Sequence, residues 1–146
     1  MTESGGPTTQ SGILYQNSIA ALYLGRMIDP APRLKRDGVV EVRVEAPTHV
    51  DDIVVIFEDG HAAYIQVKEN IEPRGEVWVK LWKSLQAQFN SPEFKRGKDR
   101  LVLHLGVIQP WPRSLRDLCK RAETIKTLSE PEQRLSKRRK DMLAYI

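Results

Sequence analysis

Apolar residues between Gly12 and Ile28 recur at helical spacing: Ile13, Leu14, Ile19, Ala20, Leu22, Tyr23 and Met27. This predicts a well-packed amphipathic helix. Asp29-Pro30-Ala31-Pro32 ends it, because a residue before proline avoids the helical region. The period then changes. Val40, Val42 and Val44 alternate with charged residues across 39–45, the pattern of a half-exposed strand. Asp52 to Phe57 is β-branched and almost continuously apolar, which predicts a buried strand. Glu58-Asp59-Gly60-His61 carries Asp-Gly, a strong hairpin signal, and Ala62 to Lys68 forms the returning strand. A three-strand antiparallel meander follows.

A second helix is predicted over Val77 to Phe89, with Trp78, Leu81, Trp82, Leu85 and Phe89 on one face. Arg100 to Ile108 is a further strand, apolar enough to be central, and Pro110 and Pro112 stop it. Ser114 caps a helix from about Leu115 to Leu128, with Leu118, Ala122 and Ile125 inward. Ser129, Pro131 and Glu132 open a final helical segment. The order of helix, three-strand meander, helix, strand and helices specifies an α/β or α+β layered fold around a central sheet, of which α/β with a mixed sheet is the expectation.

Composition adds bounds. With 146 residues, 40% hydrophobic and 29% charged, the chain suits one globular domain over 12–146. The Gly-, Ser-, Thr- and Pro-rich residues 1–11 read as a flexible tail. No apolar run spans a bilayer, the N-terminus lacks a signal-peptide pattern, and Cys119 has no second cysteine to pair with. A cytoplasmic protein without a membrane partner is the expectation. The net charge of +4 is unevenly placed: residues 1–75 hold 7 basic and 11 acidic residues, net −4, and residues 76–146 hold 16 and 8, net +8. The basic half suits phosphate contacts, since cationic surfaces attract nucleic-acid backbones.

The chemistry concentrates on the hairpin. A two-residue turn at Asp59-Gly60 sets Asp52 across from about Val67, with Gln66 and Lys68 beside it. Gln66 and Lys68 share one face, being two apart in a strand. A slip of one residue decides whether Asp51 or Asp52 joins them. A carboxylate, an amide oxygen, the Val67 carbonyl and an ammonium suit phosphodiester hydrolysis with Mg2+. Lys68 would orient or deprotonate water and stabilise the charged transition state.

Asp52 followed by Gln66-Val67-Lys68 resembles the PD-(D/E)XK nuclease superfamily, in the variant with Gln at the second acidic position known from Mrr-like restriction endonucleases. With Gly12-Ile13-Leu14-Tyr15-Gln16, Glu45, Asp51 to Val55 and Tyr64 to Lys68, the region from Gly12 to Phe89 is similar to the N-terminal double-stranded DNA endonuclease domain of bacterial anti-phage effectors, CD-NTase-associated or NTPase-fused. The resemblance implies a restriction-endonuclease-like core. It implies Asp52 as metal-binding aspartate, Gln66 in the second-acid position and Lys68 as catalytic lysine. Glu45 becomes an additional metal ligand, with Gln16 and Asp51 as accessory positions. It also implies Mg2+ or Mn2+ as cofactor, double-stranded DNA as substrate, a homo-oligomer of at least two copies when active, and a place at the N-terminus of a longer protein. Lys80, Lys83, Lys95, Arg96 and Lys98 are the candidate phosphate contacts. The rival expectation is a catalytically inactive nuclease fold that binds DNA or mediates assembly. His49, His61 and His104 lack metal-ligand spacing and read as structural. Trp78 and Trp82 read as core residues, Cys119 as a small buried hydrophobe, and Lys137-Arg138-Arg139-Lys140 as a solvated helix face.

Overall fold

The computed structural model describes residues 6–28, 38–50, 52–107 and 110–124. Within them the chain is α/β, a four-stranded mixed sheet with three helices: α1 (Gly6–Ile28), β1 (Val39–Val44), β2 (Ile53–Phe57), β3 (Ala62–Lys68), α2 (Gly75–Asn90), β4 (Arg100–Leu105) and α3 (Pro110–Thr124). The strands lie in the order β1-β2-β3-β4. The first three form the expected antiparallel meander, and β4 runs parallel to β3. By their internal contacts the residues fall into two compact units. One contains α1, the sheet and α2 from Lys83. The other contains Ile71–Trp82 and α3. No helix among the described residues is long and apolar enough to cross a membrane.

The core of the first unit lies between α1 and one sheet face. Ile53, Val55 and Phe57 of β2 and Ala63, Ile65 and Val67 of β3 are buried there with Ile19 and Ala20, and Tyr15, Tyr23, Val42 and Val102 pack around them. The alternation follows from the strand period of two. The opposite face carries Tyr64, whose ring meets Phe94 at 5.8 Å, and Phe94 in turn meets Phe89 at 5.4 Å. In the second unit the fully buried Trp78 packs edge-on against Trp82 and Trp111, at 5.5 and 5.2 Å. Trp78 is therefore a core residue, as its helical spacing implied.

Five expectations are corrected. α1 starts at Gly6, so residues 6–11 are helical rather than tail. Its packed stripe is narrow: Ile13, Leu14, Leu22 and Met27 are exposed. In β1 a bulge between Val39 and Glu41 sets two residues against one of β2, so Val40 and Val44 face solvent and Val39 is buried. β4 is an edge strand ending at Leu105 and is only partly buried, not central. Finally, α3 begins at Pro110 rather than after Ser114, because the missing N–H of a proline costs nothing in a first helical turn. The Leu118, Cys119 and Ala122 side chains, Ile125, and the segments 129–146 and 1–5 lie outside the described residues.

His104 on β4 is half-buried. Burial, with the positive charge of Arg26 adding to it, holds its imidazole below the usual 6.5. As pH falls through about 6.5 the unfolded chain takes up this proton and the folded chain does not, so stability falls with pH until the depressed folded value is reached. Urea midpoints measured from about pH 7 to about pH 5 should therefore decline more steeply for the native chain than for His104→Leu. Equal slopes would remove His104 as the cause.

Candidate functional site

The hairpin between β2 and β3 builds the site, and its turn sets the register. The loop has three residues, Glu58-Asp59-Gly60, not two. Phe57 N–H donates to the His61 carbonyl at 3.0 Å, Gly60 N–H to the Phe57 carbonyl at 2.8 Å, and Gly60 sits at φ 77°. A left-handed residue closing a three-residue loop is the glycine requirement here. Asp59 accepts from the His61 backbone at 3.0 Å and also bonds its ring, and that ring stacks on Phe57 at 4.2 Å. His61 is thus a structural part of the turn.

The extra loop residue shifts the pairing by one from that of a two-residue turn. Ile53 pairs with Ile65 and Val54 with Tyr64, so Asp52 extends the ladder opposite Gln66 instead of Val67. Directly opposed residues share a face. Asp52, Gln66 and Lys68 therefore converge, and Asp51, which lies outside the described residues, is not needed to complete the set.

The Asp52 carboxylate is the hub. Its Oδ2 accepts from the Gln66 amide and, at 2.6 Å, from the Val67 N–H. Lys68 Nζ stands 3.5 Å from the same oxygen. The side chains are unequally exposed, 17% for Asp52 and 33% for Lys68, so the ammonium is the wetter, more reachable partner. The Asp52 carbonyl is held as well, accepting from Glu45 N–H at 3.1 Å and from Gln16 Nε2 at 3.0 Å. Gln16 and Glu45 thus fix the Asp52 backbone. Glu45 does so at φ 51°, a left-handed conformation uncommon for a residue with a side chain. Its carboxylate is on an exposed residue.

The far end of β3 is also pinned. Gly106 N–H donates to the Lys68 carbonyl at 3.0 Å. A Cβ on Gly106 would lie 3.0 Å from the Glu69 carbonyl oxygen and 3.3 Å from the Tyr15 ring. Glu69 itself accepts from Ser11 at 2.5 Å. Gly106→Ala should therefore push β4 from the end of β3 and cost about 1–3 kcal/mol, read as a lower urea midpoint. An unchanged midpoint would show that the neighbours give way freely. The loop before Asp52 is anchored from α2, where the fully buried Gln88 accepts from His49 N–H at 3.0 Å.

Several contacts had no sequence signal. The resemblance implied Gln16 as an accessory to the metal site, not as a clamp on the Asp52 carbonyl, and nothing foretold the Glu45, Gly106 or Gln88 bonds. The candidate phosphate contacts are scattered. Lys95 Nζ and Lys98 Nζ donate to the Gly60 and Asp59 carbonyls at 3.2 and 2.6 Å. They therefore brace the hairpin tip, about 20 Å along β3 from Lys68. Arg96 lies over Phe89 and bonds Asn90. Lys80 and Lys83 are exposed on α2.

Among the described residues no group of three or more His, Cys, Asp or Glu side chains could hold a metal ion. The local donor set is one carboxylate, the Gln66 amide and backbone oxygen. It suits a Mg2+ or Mn2+ ion that keeps most of its waters, not a closed protein cage. No protein-family model, curated protein or solved structure matches the chain.

Proposed function

We propose that this chain is a metal-dependent endodeoxyribonuclease domain that hydrolyses phosphodiester bonds of double-stranded DNA, with the restriction-endonuclease-like core and the bacterial anti-phage role that its resemblance implies. One observation carries the reading: the hairpin register sets Asp52, Gln66 and Lys68 on one face, with Lys68 Nζ 3.5 Å from Asp52. Asp52 and the Val67 carbonyl would hold Mg2+ or Mn2+, with Gln66 joining once its amide turns to present Oε1 instead of the donating nitrogen, and the exposed Glu45 would have to swing in to add the second carboxylate that the resemblance implies. When bound, the ion lowers the pKa of a coordinated water and neutralises charge on the phosphate. Lys68 would orient or deprotonate the attacking water and stabilise the charge growing on the phosphoryl oxygens. Gln16 and Glu45, through the Asp52 carbonyl, keep the carboxylate aimed. Basic residues of the second half, the exposed Lys80 and Lys83 among them, would supply salt-sensitive backbone contacts.

The single carboxylate of the described site, already bonded by two donors from β3, favours one rival: an inactive nuclease fold that binds DNA or mediates assembly. Metal binding separates the two. Mn2+ titration followed by electron paramagnetic resonance should show one site, weakened on the order of tenfold or more by Asp52→Asn. Binding that ignores Asp52, or no binding at all, selects the rival.

A further inference from the structure

The bulge in β1 decides which sheet face its charged side chains join. Were the ladder to run unbroken from the Val39–Phe57 pair, Arg43 would meet Ile53, a core residue on the α1 side. The extra residue sets Arg43 opposite Val54 instead, and Val54 lies opposite Tyr64 of β3. Directly paired residues share a face, as do residues two apart in one strand. Arg43 therefore stands on the face of Asp52, Gln66 and Lys68. Its Cα lies one strand across and two residues along from that of Asp52, about 8 Å away. Of the other basic residues on the strands, Lys68 shares this face and Arg100 pairs with Ala63 on the core side. Bulges re-aim side chains in this way beside active sites.

The Arg43 guanidinium is both exposed and oriented. Its Nε and Nη2 donate to the two Glu41 carboxylate oxygens at 2.7 and 3.0 Å, and the side chain is 55% exposed. Glu41 takes one edge of the planar fork, and that pair does not use the Nη1 end, which suits a second oxyanion. An ion pair this open adds little to stability, so sharing the guanidinium with a phosphate disturbs nothing buried. Glu41 and Asp52 give the face negative charge, and a polyanion approaches it where cations meet it.

We infer that Arg43 is a phosphate-contacting residue, which grips the DNA backbone about two phosphates along the strand from the one held at Asp52 and Lys68. A duplex strand carries one phosphate per about 3.4 Å of axis, so about 8 Å spans about two. The inference rests on duplex DNA being the substrate, and it does not depend on cleavage.

Fluorescence anisotropy of a labelled duplex, titrated with the full chain in chelator so that no cleavage competes, tests it. Arg43→Gln should weaken binding about tenfold and lower the slope of log K against log salt by about 1. Its circular dichroism and Mn2+ affinity should match the native chain. Arg43→Lys should restore the slope and part of the affinity, since an ammonium keeps the charge but lacks the fork. Arg74→Gln removes the same charge from an exposed arginine of the other unit and should weaken binding far less. Equal losses in Arg43→Gln and Arg74→Gln would reduce Arg43 to net charge and overturn the inference. Native affinity and slope in Arg43→Gln overturn it while the nuclease reading stands. A native chain that binds no duplex overturns it too, and Mg2+-dependent plasmid cleavage then shows whether the nuclease reading falls with it.

Discussion

Lys68→Ala is expected to lower the single-turnover rate of duplex cleavage by about 10²–10⁴-fold with the fold intact. The size follows from what is removed. Lys68 is the only cation within 4.0 Å of the Asp52 carboxylate among the described residues, and its ammonium would meet the water and the phosphoryl oxygens. Stability should change little. The side chain is one-third exposed, and a pair as open as this contributes at most about 1 kcal/mol. Lys68→Arg should rescue poorly, because a planar guanidinium donates in a fixed fork and reaches farther than a compact ammonium. A variant that cleaves at the native rate would separate Lys68 from the chemistry.

Asp52→Asn should be more damaging, because it acts on both chemistry and structure. The carboxylate accepts from Gln66 and Val67 and faces Lys68. An amide oxygen in the place of Oδ2 can still accept from both donors, so what is lost is the charge: the two bonds become neutral and the lysine is left uncompensated. A hydrogen bond to a charged group contributes about 1.5–3 kcal/mol and a neutral one about 0.5–1.5. The urea midpoint should therefore fall modestly and, independently, cation binding and cleavage should be lost. Asp52→Glu keeps the charge but lengthens the arm. It should restore cation binding in part and cleavage hardly at all, since positioning within about 1 Å governs such reactions. Native metal affinity in Asp52→Asn would contradict the assignment.

How much of this was legible follows from local physics. The strands and the hairpin could be read because β-branched alternation and Asp-Gly are short-range signals. The register could not: Asp-Gly serves both two- and three-residue loops, and only the Phe57–His61 bond decides between them. That one residue places Asp52 on the face of Gln66 and Lys68. The start of α3 was misread because Pro110 and Pro112 stop a strand and open a helix equally well. The inward face of α1 was misread because its apolar residues surround the helix, and periodicity cannot tell a packed stripe from an exposed one. The Gly106 clamp joins residues far apart in sequence and the Glu45 clamp is a backbone bond closing the loop before β2, so no side-chain pattern encodes either. The acidic first half and basic second half described charge but not position, so Lys95 and Lys98 proved to brace the hairpin tip.

Incubation of supercoiled plasmid with the native chain and Mg2+ tests the central claim most directly. The account predicts nicked and then linear DNA, abolished by chelation and by Lys68→Ala, with a rate that falls steeply as salt rises. Plasmid that stays supercoiled with the folded native chain under Mg2+ or Mn2+, or cleavage that persists in the chelator, would contradict it.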